Sequence, residues 1–279
     1  MTAITVRGLT KSYGEVRAVR GIDLDIMAGE VFAILGPNGA GKSTTVEILE
    51  GYRSRDGGEV SVLGVDPGRA TREWRSSVGI VPQTAEDKPE ATVREIVRHF
   101  AGYYPAPGDP DEVIGKVGLG EKAGARIRAL SGGQRRRLDV ALGIIGRPRL
   151  LFLDEPTTGF DPEARRQFWE LISGLSDDGT TILLTTHYLD EAEALADRVA
   201  VVARGQVVAT GDPATLGGRA AAQATVSWSQ DGERRSIRTD TPARTVVELA
   251  GRFDGEIPEL TVTRPTLEDI YLNLIEETL

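Results

Sequence analysis

The chain has 279 residues, 40% of them hydrophobic and 27% charged, with a formal net charge of −9. That composition suits a globular protein with a sizeable core, and the acidic balance argues against sequence-independent nucleic-acid binding, which needs a basic footprint. The absence of cysteine excludes disulfides, thiolate catalysis and cysteine-ligated metal; MTAITVRGLTKSYG at the N-terminus has no apolar signal core, and no apolar run approaches the roughly 20 residues of a membrane span.

Val31–Leu35 is a continuous apolar run ending at Gly36, which predicts a strand buried on both faces as in a parallel sheet. Gly36-Pro37-Asn38-Gly39-Ala40-Gly41-Lys42-Ser43-Thr44 follows and fits the phosphate-loop pattern G-x4-G-K-[ST]. Its glycines let the backbone curl so that N–H groups point at phosphate oxygens, and a helix opening near Lys42 adds its positive end. Lys42 is expected to reach the β- and γ-phosphates and Ser43 to ligate Mg²⁺. Val46 and Leu49 should pin that helix to the sheet, with Gly51 ending it.

From Gln83 to Gly146 the texture becomes helical. Thr92 and Glu95 form a capping box ahead of Val93, Ile96, Val97 and Phe100, Pro105 to Pro110 reads as a loop, and Leu138, Ala141, Leu142 and Ile145 mark a second amphipathic helix. Ser131 is a suitable N-cap for it, with Gly132 and Gly133 exposing N–H groups at a second anion site. Arg135-Arg136-Arg137 reads as a solvated helix face with ion pairs. Phe100, Tyr103 and Tyr104 suit either core packing or a docking surface for a membrane partner.

Leu150–Leu153 predicts another buried strand, ending in Asp154, Glu155 and the strand-terminating Pro156. Asp154 is placed to hold Mg²⁺ and Glu155 to polarise an attacking water. Thr181–Thr186 is a further strand, so His187 lies at a strand's C-terminal end, where α/β proteins bind ligands; it is assigned a γ-phosphate contact, and His99 a structural role. Val199–Val202 follows. Strands alternating with helices give an α/β fold with a mostly parallel sheet. After Leu216 a Gly-Gly and Ala-rich linker leads to strands at Val226 and Trp228 and at Leu260 and Val262, then a helix capped by Thr266 with Leu267, Ile270, Tyr271, Leu274 and Ile275 on one face. The expected division is a domain over 1–215, with a helical subdomain at about 84–146, and an α+β accessory domain over 216–279.

Leu130-Ser131-Gly132-Gly133-Gln134, together with GPNGAGKST, LLFLDEP and the His187 position, resembles the ATP-binding cassette (ABC) family in motif and order over about residues 1–215. The resemblance implies an ATPase with ATP and Mg²⁺ as cofactors, working as a homodimer in which Ser131, Gly132, Gly133 and Gln134 of one copy complete the ATP pocket of the other. It implies that Tyr13 stacks on adenine, that Gln83 senses Mg²⁺ and the attacking water, and that Thr157–Asp161 crosses the dimer interface, with Phe160 where leucine is more usual. Arg-Arg-Arg-Leu-Asp after Leu130–Gln134, the stretch that resembles the family's signature, and Pro-Thr-Leu-Glu-Asp-Ile-Tyr near the C-terminus are similar to the daunorubicin-resistance type of bacterial exporter ATPase. The expected partner is a separately encoded transmembrane permease. It would hold the chain, soluble when isolated, at the cytoplasmic face of the membrane, with no nucleic-acid partner. The alternative is a non-transport cassette acting on the ribosome or nucleic acid. Against it stand the interval from Lys42 to Leu130, too short for a long coiled coil, and the single cassette.

Overall fold

The computed structural model describes residues 1–83, 90–253 and 256–276. Two long strands open the chain, β1 (Thr2–Tyr13) and β2 (Val16–Met27), and pair antiparallel. Val19, Ile22, Leu24 and Ile26 are buried between exposed residues of β2, the period of a half-buried antiparallel strand. This alternation is present in the sequence but is weaker than the apolar runs that follow.

β3 (Val31–Leu35) is buried at every residue. Phe32, Ile34 and Leu35 have no solvent exposure, and burying side chains of this size stabilises by roughly 1.5–3 kcal/mol each. The helix α1 (Lys42–Leu49) follows, then β4 (Gly57–Val62), α2 (Arg72–Ser76) and β5 (Val78–Val81). β4 pairs with β1 to complete a three-stranded antiparallel sheet ordered β2-β1-β4. Its inner face (Ile4, Val6, Ile22, Ile26, Val60, Val62) shares one core with Val46 and Leu49 of α1 and with Phe32, Ile34 and Phe152. Trp74 of α2 enters that core and donates its indole N–H to the Val62 carbonyl at 2.8 Å.

Next come α3 (Val93–Ala101), α4 (Pro110–Lys116) and α5 (Gly132–Ile144). The Thr92–Glu95 capping box opens α3 as its spacing predicts. Pro110, read in the sequence as the end of a loop, is the first residue of α4, with the Asp109 carboxylate accepting from the N–H groups of Asp111 and Glu112; proline is favoured at N1 because that N–H is unpaired in any helix. The first residues of the expected helical subdomain, 84–89, lie outside the described residues. β6 (Leu150–Asp154), α6 (Pro162–Asp177), β7 (Thr181–Thr186), α7 (Leu189–Leu195), β8 (Arg198–Ala203) and β9 (Gln206–Gly211) complete a six-stranded sheet ordered β5-β6-β7-β3-β8-β9. The β5–β6, β6–β7, β7–β3 and β3–β8 pairs are parallel.

The chain divides into two compact units, Met1–Thr210 and Gly211–Leu279. The second holds a three-stranded antiparallel sheet, β11-β10-β12, from β10 (Ala224–Gln230), β11 (Glu233–Thr239) and β12 (Thr261–Thr263), with α8 (Pro242–Ala250) between β11 and β12. Thr266 and Asp269 form a reciprocal cap at the start of α9 (Leu267–Glu276), which buries Leu267 and Ile270. Among the described residues no helix is long and apolar enough to cross a membrane.

Candidate active site

The parallel registers align the strand ends. Leu35 pairs with Thr186, Asp154 with Thr185, and Val81 with Leu153. The next residues along each strand, Gly36, His187, Glu155 and Pro82-Gln83, therefore emerge at one edge of the sheet, the C-terminal edge where open α/β sheets bind ligands.

The loop after β3 is pinned from two sides. A Cβ on Gly36 would lie 2.3 Å from the Val202 carbonyl oxygen, and one on Gly41 2.3 Å from that of Ala18, with Gly41 at φ 103°. Both positions admit only glycine, the second for conformation as well as space. Pro37, Asn38 and Gly39 are exposed, Ala40 and Gly41 buried, Ser43 exposed and Thr44 half-buried. Lys42 is 5% exposed, and its ammonium donates to the carbonyls of Gly36 at 2.7 Å and Pro37 at 3.2 Å. Burial pushes its pKa below the usual lysine range, while Glu155 and Asp154 hold it up. The result is a preformed cradle with a cation at its floor.

Glu155 sits at φ 42°, a left-handed conformation unusual for a non-glycine residue. Its N–H donates to the Thr185 carbonyl and hydroxyl oxygens, each at 3.1 Å. Its Oε2 accepts from Gln83 Nε2 at 3.1 Å and from the Thr158 hydroxyl at 3.4 Å, and lies 3.3 Å from His187 Nδ1. Groups from the ends of β5, β6 and β7 thus converge on one carboxylate oxygen. Asp154 Oδ1 accepts from the Thr185 hydroxyl. Among the described residues no cluster of three or more acidic or histidine side chains could cage a metal. One strand-end carboxylate, a nearby hydroxyl and a phosphate cradle match the donor set of Mg²⁺, which is usually held by one or two carboxylates plus phosphate oxygens and water. Glu50, at the end of α1, is pushed up to about 8 by burial and by the charges of Asp154 and Glu47.

The signature serine lies on a different element. Ser131 caps α5: its hydroxyl accepts from Gln134 N–H at 3.3 Å, while Gln134 Oε1 accepts from Ser131 N–H at 3.1 Å. Ser131 and Gly132 are exposed and Gly133 half-buried. Tyr13 is 41% exposed, with the Lys11 ammonium 5.5 Å and the Arg53 guanidinium 5.2 Å from its ring centroid. His99 is on the exposed side of α3 and hydrogen-bonds the Tyr103 hydroxyl at 2.9 Å. Phe160 packs edge-on to Phe168 with centroids 5.8 Å apart, so an aromatic fills this loop position by ring packing.

One reading of the sequence needs correction. Arg136 does not lie on a solvated helix face: it is buried, and its guanidinium donates to the carbonyls of Pro156 at 3.0 Å, Asp154 at 2.8 Å and Pro82. A run of three arginines looks solvated when periodicity is ignored, but Arg136, Val140 and Gly143 fall on one buried stripe of α5. Thr185 and Glu191 also escaped sequence reasoning. Thr185 is read as a strand residue like its neighbours. Glu191, in α7, is fully buried near Thr186, Thr157 and Trp169, and burial pushes its carboxyl up; an acid in DEAEA looks solvent-facing until the helix is docked.

One strand, β7, stands between the phosphate-loop strand and the acid strand, carries Thr185 and leads directly into His187, an arrangement that makes the first unit a P-loop nucleotide hydrolase. Comparison narrows the class. The ABC transporter family model matches residues 19–158. The daunorubicin resistance ATP-binding protein DrrA3 of Streptomyces coeruleorubidus is 35% identical, with 98% of this chain and 96% of that protein covered. The Nod factor export ATP-binding protein I of Rhizobium sp. (strain N33) is 39% identical over 98% of this chain and 96% of that protein. Among solved structures, the dimeric structure of MJ0796, a bacterial ABC transporter cassette, superposes with a TM-score of 0.66 at 26% identity, covering 75% of this chain and 98% of that one. The chain belongs to the ABC transporter family, as an ATP-binding, ATP-hydrolysing subunit.

Proposed function

We propose that this chain is the motor subunit of an exporter: two copies close on two molecules of Mg-ATP and drive a separately encoded transmembrane permease from the cytoplasmic face of the membrane. The observation that carries the catalytic part is the convergence of Gln83, Thr158 and His187 on Glu155 Oε2 beside the Lys42 cradle. Export and the permease are supported by the relatives, which are named for daunorubicin resistance and Nod factor export. The two-copy arrangement is supported by the dimeric cassette that this fold matches.

In this reading Tyr13 stacks on the adenine. The loop Gly36–Thr44 wraps the phosphates with its N–H groups, and Lys42 turns from the Gly36 and Pro37 carbonyls to the β- and γ-phosphate oxygens. Ser43 and Asp154 would hold Mg²⁺, which when bound neutralises charge on the phosphates. Glu155 accepts a hydrogen bond from the attacking water and takes its proton, while Gln83 orients both and His187 donates to the γ-phosphate. Ser131 and the N–H groups of Gly132 and Gly133 of the second copy close over the same γ-phosphate. Closure would move the helices α3–α5. A groove of about 490 Å³ lined by Glu50, Tyr52, Trp74, Ile80, Phe100 and Tyr104 lies where that movement meets the core, and would seat the permease. Its Tyr52 and Ile80 are 79% and 42% exposed.

Glu155→Gln tests the reading. The amide keeps the size and loses the base, so the variant should bind ATP normally, turn over at least roughly a hundredfold more slowly, and run as a dimer in size-exclusion chromatography with ATP. Wild-type turnover in this variant would reject Glu155 as the base.

A further inference from the structure

Arg136 is a buried cation with no place in the chemistry just described. Its side chain is 8% exposed, and Asp139, one turn along α5, lies 3.8 Å from Nη1. The fork is spent on backbone. Nε donates to the Pro156 carbonyl at 3.0 Å, Nη2 to the Asp154 carbonyl at 2.8 Å, and Nη1 to the Pro82 carbonyl. Those carbonyls flank the functional side chains. Pro82 immediately precedes Gln83, and Asp154 and Pro156 bracket Glu155. At its other end the arginine belongs to the first turns of α5, five residues after Ser131.

We propose that Arg136 is a positioning residue that ties the capped start of α5 to the strand ends carrying Gln83, Asp154 and Glu155, so that the contact of Ser131 with one nucleotide sets the geometry of hydrolysis at the other. This rests on the two-copy reading above. Three charge-assisted hydrogen bonds from one planar group fix both distance and orientation between a helix and two loops. A rigid link is needed because each copy contributes to two pockets at once: Ser131 to the partner's nucleotide, Glu155 to its own. Movement of α5 against the strand ends would have to stretch carbonyl hydrogen bonds in a buried site, where an unsatisfied group is costly. The start of α5 and the catalytic loop therefore move together when closure shifts α3–α5. The device couples two sites through one contiguous set of contacts.

Arg136→Lys separates this from bulk packing. Lysine keeps the charge and most of the stem but presents its donors from one point, so it does not span three carbonyls. In the full-length chain the expected result is an unchanged Kd for a fluorescent non-hydrolysable ATP analogue at dilutions where the protein is monomeric. Turnover should fall roughly tenfold or more, and the Hill coefficient for ATP should drop from above 1 toward 1, two sites setting its ceiling. Arg137→Lys, one residue on, should change neither. Wild-type turnover and Hill coefficient in Arg136→Lys would overturn the proposal.

Hydrogen exchange on the unmutated protein gives a second measurement, independent of whether the variant folds. With rising ATP, amides in the first turn of α5 and in Glu155–Thr158 should gain protection with the same midpoint; distinct midpoints would overturn the coupling. If wild type shows no ATP-dependent dimer and no cooperativity at any concentration, the two-copy reading fails instead, and the two failures are distinguishable.

Discussion

At the scale of single residues the site stores conformation that local preference opposes. Glu155 at φ 42° occupies a region that costs a non-glycine residue on the order of 1–3 kcal/mol, offset by its N–H bonds to Thr185 and by the Gln83 and Thr158 donors on its carboxylate. Glu50 stores charge energy. With its carboxyl pushed up to about 8 from a usual 4.5, the folded chain keeps a proton that the unfolded chain releases. A raised acid pKa means this group's contribution is fully present below about 4.5 and is lost as pH rises through about 8. Glu50→Gln removes the dependence. Thermal melts should give similar midpoints for both proteins near pH 5 and a growing advantage for the glutamine variant up to pH 8–9. Parallel midpoints across that range would mean that Glu50 ionises normally.

At the scale of elements, helix starts do much of the work. Capping boxes open α3 and α5, each satisfying two N–H groups that helix geometry leaves unpaired. Thr92→Ala should therefore cost about 1 kcal/mol of stability, read as a lowered denaturant midpoint, with nucleotide affinity unchanged. Ser131 has the same local task and in addition faces outward. Ser131→Arg should leave ATP binding by the monomer intact and abolish turnover, because the bulk enters the partner's pocket; weaker binding in the monomer would contradict this. The helix that Ser131 caps, α5, was legible from its apolar spacing. The burial of Arg136 on it was not, because its partners are carbonyls, which every residue carries and no motif records.

At the scale of the whole molecule, the antiparallel sheet β2-β1-β4 and the six-stranded sheet share one core around α1, and this holds the phosphate cradle against Ala18 and Val202. If each copy owns only part of a reaction site, activity must depend on encounter. Specific ATPase activity of the purified chain should fall as protein concentration is lowered at saturating ATP and recover on reconcentration. A constant value down to concentrations where light scattering reports only monomer would contradict the paired arrangement.

The amino-acid order alone determined the chemistry of each segment. An apolar strand run, a glycine loop with lysine, a run closing in two acids and a capped Ser-Gly-Gly turn are local patterns whose physical meaning survives without neighbours. Tertiary structure decided which of these meet. The parallel register set Gln83, Glu155 and His187 side by side across gaps of many residues, helix docking turned Arg136 and Glu191 inward, and the paired β1 and β2 closed over α1. Long-range pairing is set by the summed burial of whole faces, and no short stretch of sequence carries that sum.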